Sequence, residues 1–282
     1  DSGNHPLSMN DLLSDEEIKK ILDMEIYYGY TTGDPNLLSA IASWYPDKIN
    51  ESNVLVTNGS AEANFLAGWT LIEPGDEVVM VLPNYMQVPG LAKNLGASVK
   101  TIGLKESLGW HVDPDELASV VTEKTKLISI CNPSNPTGAV MSDDEMKSIA
   151  EIAGKHGAYV LSDEVYRGSE LDGNETKSFI HFYDKCIVSC GLSKSFAHPG
   201  LRTGWLIASP EIIQSIWTRK DYTTLCASVI SQEIGTKIMT MPTREKILGR
   251  SSKMLTENVE LFQNWLNNHG DLFTFVPPKA GG

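Results

Sequence analysis

Between residues 50 and 240, short apolar runs alternate with stretches whose apolar residues recur three or four positions apart. The first pattern is that of buried strands, the second that of helices with one face in a core. Strands are predicted at Asn53–Thr57, Glu77–Val81, Ser98–Ile102, Lys126–Cys131, Tyr159–Ser162, Lys185–Cys190 and Thr203–Ala208. Helices are predicted over Glu62–Ile72, Tyr85–Asn94, Asp113–Val121 and Ser142–His156. Parallel neighbours need a crossover and helices supply it, so this alternation predicts an α/β fold with a mostly parallel central sheet. Capping boxes mark two helix starts, Ser14 with Glu17 and Ser142 with Glu145. After the last strand the chain turns helical again. One long helix is expected over Thr243–His269, then a short strand at Leu272–Val276 that runs into Pro277-Pro278. A strand opening so close to Gly281-Gly282 raises the expectation that the sequence is a fragment.

Composition narrows the choices. With 282 residues, 41% hydrophobic and 21% charged, the chain has the length and apolar content for one large domain, alone or with a smaller one, and disorder is excluded as the main state. A net charge of -13 has the wrong sign for non-specific attraction to nucleic acid or an anionic membrane, so neither partner is expected. It leaves room for a local basic pocket that takes one small anion. Cys131, Cys186, Cys190 and Cys226 have neither zinc spacing nor a disulfide framework, and the six histidines have no metal spacing, so no metal is expected. No apolar run approaches the roughly 20 residues that span a bilayer, and Asp-Ser-Gly-Asn-His-Pro is unlike a signal peptide. The expected location is cytoplasmic. The two common nucleotide loops, G-x-G-x-x-G after a strand and G-x-x-x-x-G-K-[ST], are absent.

The candidate chemistry lies in ordered motifs. Gly191-Leu-Ser193-Lys194 and Gly200-Leu-Arg202-Thr-Gly-Trp205 link two predicted strands. Before them come Asn132-Pro-Ser-Asn135-Pro-Thr-Gly138 and Asp163-Glu-Val-Tyr166 at strand exits. Further upstream stand Thr57-Asn-Gly-Ser60-Ala61-Glu-Ala63, Pro83-Asn-Tyr85 and Tyr28-Gly-Tyr-Thr-Thr-Gly33. A lysine amine at a strand exit is a nucleophile and proton carrier. Free amides where Thr57 gives way to a helix at Glu62 suit a phosphate, and Arg202, eight residues after the lysine, suits an anionic cofactor.

In order and spacing this set resembles the class I/II aminotransferases, a family of fold-type I pyridoxal-phosphate-dependent enzymes. The resemblance covers nearly the whole chain. It implies a large cofactor-binding domain over residues 31–245, with 1–30 and 246–282 forming part of a smaller, incomplete α+β domain. It implies pyridoxal 5'-phosphate as cofactor, held by Lys194 as a Schiff base. Asp163 would pair with the pyridinium nitrogen, Asn135 and Tyr166 with the phenolic oxygen, and Tyr85 would stack on the ring. Ser60, Ala61, Ser193 and Arg202 would hold the phosphate, joined across a homodimer interface by Tyr28 of the partner subunit. Lys194, Asp163 and Tyr166 are thus the expected catalytic residues, and an amino acid and a 2-oxo acid the expected substrates. The same site would also serve a cysteine-S-conjugate β-lyase or an aminocyclopropane-carboxylate synthase. A third alternative is the cofactor-sensing domain of a transcription regulator.

Two departures stand out. Gly191 occupies a place where the family often has serine or threonine. No residue matches the arginine that clamps the substrate carboxylate; Arg167 and Lys279 are nearest by sequence, and a surface role is expected for both. Gly3-Asn-His-Pro6 faintly resembles the segment that closes over substrate.

Overall fold

The computed structural model describes residues 7–46 and 48–281, so the Gly3–Pro6 segment lies outside the described residues. The helices are α1 (Met9–Leu12), α2 (Asp15–Leu22), α3 (Pro35–Ala42), α4 (Ser60–Leu71), α5 (Gln87–Asn94), α6 (Pro114–Val120), α7 (Asp143–His156), α8 (Pro210–Lys220), α9 (Val229–Met239) and α10 (Thr243–Asn267). The strands are β1 (Val54–Thr57), β2 (Glu77–Leu82), β3 (Ser98–Gly103), β4 (Thr125–Cys131), β5 (Tyr159–Asp163), β6 (Cys186–Gly191) and β7 (Gly204–Ile207). They form one sheet in the order β1-β7-β6-β5-β4-β2-β3. β7 runs antiparallel to both its neighbours, and the other pairs are parallel. The expected α/β fold is observed, with every predicted strand up to β7 in place.

Apart from the edge strand β3, the sheet is buried on both faces, which explains why those strands read as largely apolar runs. Successive side chains go to opposite cores. Val54 and Val56, Val79 and Val81, Ile128 and Ile130, and Trp205 and Ile207 join α3, α6, α7 and α9 in one. Leu55, Val78, Met80, Leu127, Leu161, Ile187 and Leu206 join α4, α5 and α8 in the other.

Three expectations change. Leu272–Val276 is not a strand; beyond it Lys279 and Ala280 donate their amides to the Gly138 carbonyl, and Ala280 makes a single bridge to Glu170. The β propensity of Phe273 and Phe275 had no sheet edge to join. At α7, Ser142 accepts from the Glu145 amide, but the Glu145 carboxylate turns away to the Val112 amide (2.8 Å) and His111 Nδ1 (2.7 Å), so the box is half made. The box at Ser14 and Glu17 is complete. Arg167 is buried rather than at the surface. Its guanidinium donates to the carbonyls of Thr176 and Trp44 and to Glu175, and lies 4.2 Å from the Trp44 ring centre.

Candidate active site

Where a parallel sheet ends at its C-terminal edge, loops from several strands converge on one crevice. Here that crevice is a cleft of about 290 Å³ lined by Ser60, Ala61, Asn64, Tyr85, Cys131, Asn135, Asp163, Val165, Tyr166, Ser193, Lys194, Pro199 and Arg202. It gathers the exits of β1, β2, β4, β5 and β6. Every site residue expected from the sequence lines it except Tyr28.

At one end, α4 begins after Gly59, which has φ 83° and no side chain with which to cap the helix. The first amides of a helix have no partner within it, so those of Ser60 and Ala61 start without an acceptor in their own helix. Arg202 lies against this turn: a Cβ on Gly59 would sit 2.4 Å from its Nη2. Arg202 Nη1 donates to the Pro199 carbonyl (2.9 Å) and more weakly to Ser193 Oγ (3.4 Å). The glycine at 191 has a steric reason, since a Cβ there would meet the Thr203 carbonyl oxygen at 2.9 Å.

Asp163 ends β5. Its Oδ2 accepts from Asn64 Nδ2 (3.2 Å) and its Oδ1 from the Val165 amide (3.2 Å). Burial pushes the Asp163 carboxyl up, against the pull of Asn64, the Val165 amide and the Lys194 charge. Asn135 Nδ2 donates to Tyr166 Oη at 3.1 Å, and burial raises that phenol above its ordinary range, so it stays protonated. Lys194 Nζ lies 6.0 Å from the centre of the Tyr166 ring. Tyr85, just ahead of α5, lines the cleft and is 55% exposed.

Asn64 went unnoticed in the sequence. The available signal was an amide on the buried side of an otherwise apolar helix, where asparagine is a poor helix former. Tyr28 stands apart from its own chain's cleft, 81% exposed, with Tyr27 and Tyr30 exposed beside it. His198 is buried, bonds Phe196 through Nδ1 and does not line the cleft. Neither Arg167 nor Lys279 lines it.

The family model for class I and II aminotransferases matches residues 6–281. The chain belongs to this aminotransferase family. A probable aspartate aminotransferase of Methanocaldococcus jannaschii is 33% identical over 228 residues, 77% of this chain and 60% of that protein. A probable N-acetyl-LL-diaminopimelate aminotransferase of Bacillus subtilis is 35% identical, over 67% of this chain and 48% of that one. The chain therefore spans about half to three fifths of the length of these relatives. Among solved structures, a PLP-dependent aminotransferase from Streptococcus suis superposes with a TM-score of 0.91 at 32% identity, covering 97% of this chain and 73% of that one.

The cleft of this aminotransferase-family chain suits pyridoxal phosphate on its own chemistry. The first amides of α4 and the Arg202 guanidinium would face a phosphate dianion at one end. A buried carboxyl whose burial disfavours its charge would gain from a cationic ring nitrogen. The Gly59 cradle, which any side chain would fill, leaves the room that a phosphate and Arg202 need.

Proposed function

We propose that the protein is a pyridoxal-phosphate-dependent aminotransferase that moves an amino group from an amino acid to a 2-oxo acid. The observation that carries this reading is the convergence of Lys194, Asp163 and the Arg202-covered start of α4 on one cleft. When bound, the cofactor supplies an aldehyde for amines and a ring that withdraws electrons from the substrate α-carbon. The rest falls to the chain. Lys194 Nζ would hold the aldehyde carbon, the carbonyl oxygen leaving as water, and once the substrate amine takes its place the freed amine would carry the proton to and from the substrate α-carbon. Asp163 would keep a proton on the ring nitrogen. Tyr166 Oη and Asn135 Nδ2 would donate to the ring oxygen, Tyr85 would stack on the ring, and Ser60, Ala61, Ser193 and Arg202 would hold the phosphate. Tyr28 acts in the site of a partner subunit, which makes the protein a homodimer. Residues 31–245 form the cofactor-binding domain, with 1–30 and 246–282 belonging to a smaller one. The relatives' names agree on transamination and differ over the amino acid, so the reading stops at the reaction class.

The test is titration with pyridoxal phosphate, followed by borohydride reduction and peptide mapping. A visible band whose reduced label maps to Lys194, absent in Lys194→Ala, is the expected result. Amino acids that bleach the band and 2-oxo acids that restore it would then identify the substrates. Release of pyruvate and ammonia without an oxo acid would instead indicate elimination. A colourless, unlabelled protein would overturn the reading.

A further inference from the structure

Glu62 is the third residue of α4 and does not line the cleft. A carboxylate on the first turn of a helix is favourable alone, but it competes with a bound dianion for the same positive end. Here it is drawn into a separate network. Its Oε2 accepts from the Asn58 amide N–H (2.6 Å) and its Oε1 from the hydroxyls of Thr223 (2.6 Å) and Thr224 (2.7 Å). Burial raises this carboxyl, but those bonds and the charge of Lys220 outweigh it and hold the group below its ordinary range. Lys220 is fully buried and donates to the Leu225 carbonyl at 2.8 Å. The Asn58 side chain adds bonds to Thr224 Oγ1 (2.8 Å) and the Cys226 carbonyl (3.4 Å).

Asn58 precedes Gly59, the residue at the start of α4 that no side chain caps. The aim of the Ser60 and Ala61 amides therefore depends on what holds Asn58. We propose that Glu62 is a positioning residue: by pinning Asn58 to the loop 221–226, it keeps the turn before α4 in the shape that receives a phosphate ester. The inference rests on the cofactor reading above, and it assigns to Glu62 and to Thr223 and Thr224 a role in phosphate recognition without contact to the phosphate.

Two aldehyde-free probes isolate the phosphate from Lys194: 4-deoxypyridoxine 5'-phosphate and 4-deoxypyridoxine. Calorimetric titration of the full 282-residue chain with each gives a preference for the ester. In Glu62→Gln, and in Thr223→Val with Thr224→Val, that preference is expected to fall about tenfold while affinity for the alcohol changes by less than about twofold. The threonine variant sits in an exposed loop and leaves the helix intact, so it tests the idea should Glu62→Gln fold poorly. An unchanged preference, or equal weakening of both probes, overturns the positioning role alone. An unmodified chain with no preference for the ester overturns the cofactor reading and this inference with it.

Discussion

Asp163 and Glu164 are neighbours with opposite surroundings. Asp163 faces the cleft, whereas Glu164 is 2% exposed and accepts through Oε1 from Ser162, Ser178 and the Phe179 amide. Its Oε2 has no hydrogen bond, and Arg167 Nη1 stands 3.9 Å away. Burial raises the Glu164 carboxyl to about 7, against a counter-pull from Arg167 and these donors. A carboxyl raised in this way binds its proton more tightly when folded. Its contribution to stability is full below about 4.5, its unfolded value, and is lost as pH rises towards 7. Urea unfolding should therefore show the unmodified chain losing on the order of 3 kcal/mol from this group between pH 4.5 and 7, and Glu164→Gln should lack that part of the slope. Identical slopes would refute the assignment. The motif Asp-Glu-x-Tyr was legible as chemistry at Asp163 and Tyr166, but the burial of Glu164 and Arg167 was not. A charged residue is taken as exposed until its partners are known, and those of Arg167 are the carbonyls of Trp44 and Thr176 and the Glu175 carboxylate, distant in sequence or hidden in a loop.

At the scale of elements, the segment from β6 to β7 decides the site. It carries Ser193, Lys194 and Arg202, and it returns without a crossover helix, so β7 must run antiparallel. β7 then supports the start of α4 at very close range. An added Cβ at Gly204 would lie 2.4 Å from the Gly59 carbonyl carbon and 2.5 Å from Ser60 N, both backbone atoms that cannot swing away. Gly204→Ala should cost about 1–3 kcal/mol in urea unfolding and weaken binding of the phosphate ester more than of its alcohol. Wild-type stability with wild-type ester preference would show that the turn has room to move. Helices α8 and α9 were legible only as a return to helix, although Ser209-Pro210, an N-cap followed by proline, marks the first of them.

At the scale of the molecule, the proposed role of Tyr28 in a neighbouring site predicts a dimer. Light scattering should give about twice 30.9 kDa. Tyr28→Ala should lower affinity for pyridoxal phosphate although Tyr28 is outside its own cleft. Co-folding that chain with Lys194→Ala should restore one intact site per hybrid dimer; no gain over the separate variants would remove Tyr28 from the site. The sequence by itself determined the alternation of strands and helices, the mostly parallel sheet, and nine of the cleft residues between Ser60 and Arg202. Those depend on local apolar periodicity and on motifs a few residues long. Only the tertiary structure decided that Asn64 reaches Asp163, that Arg167 is buried, and that residues 272–276 find no strand partner. It also decided that Glu62 is tied to Thr223 and Thr224. Each of these is a contact between segments far apart along the chain, or the lack of one, and local patterning carries no information about which distant donors, charges or sheet edges the fold will bring within reach.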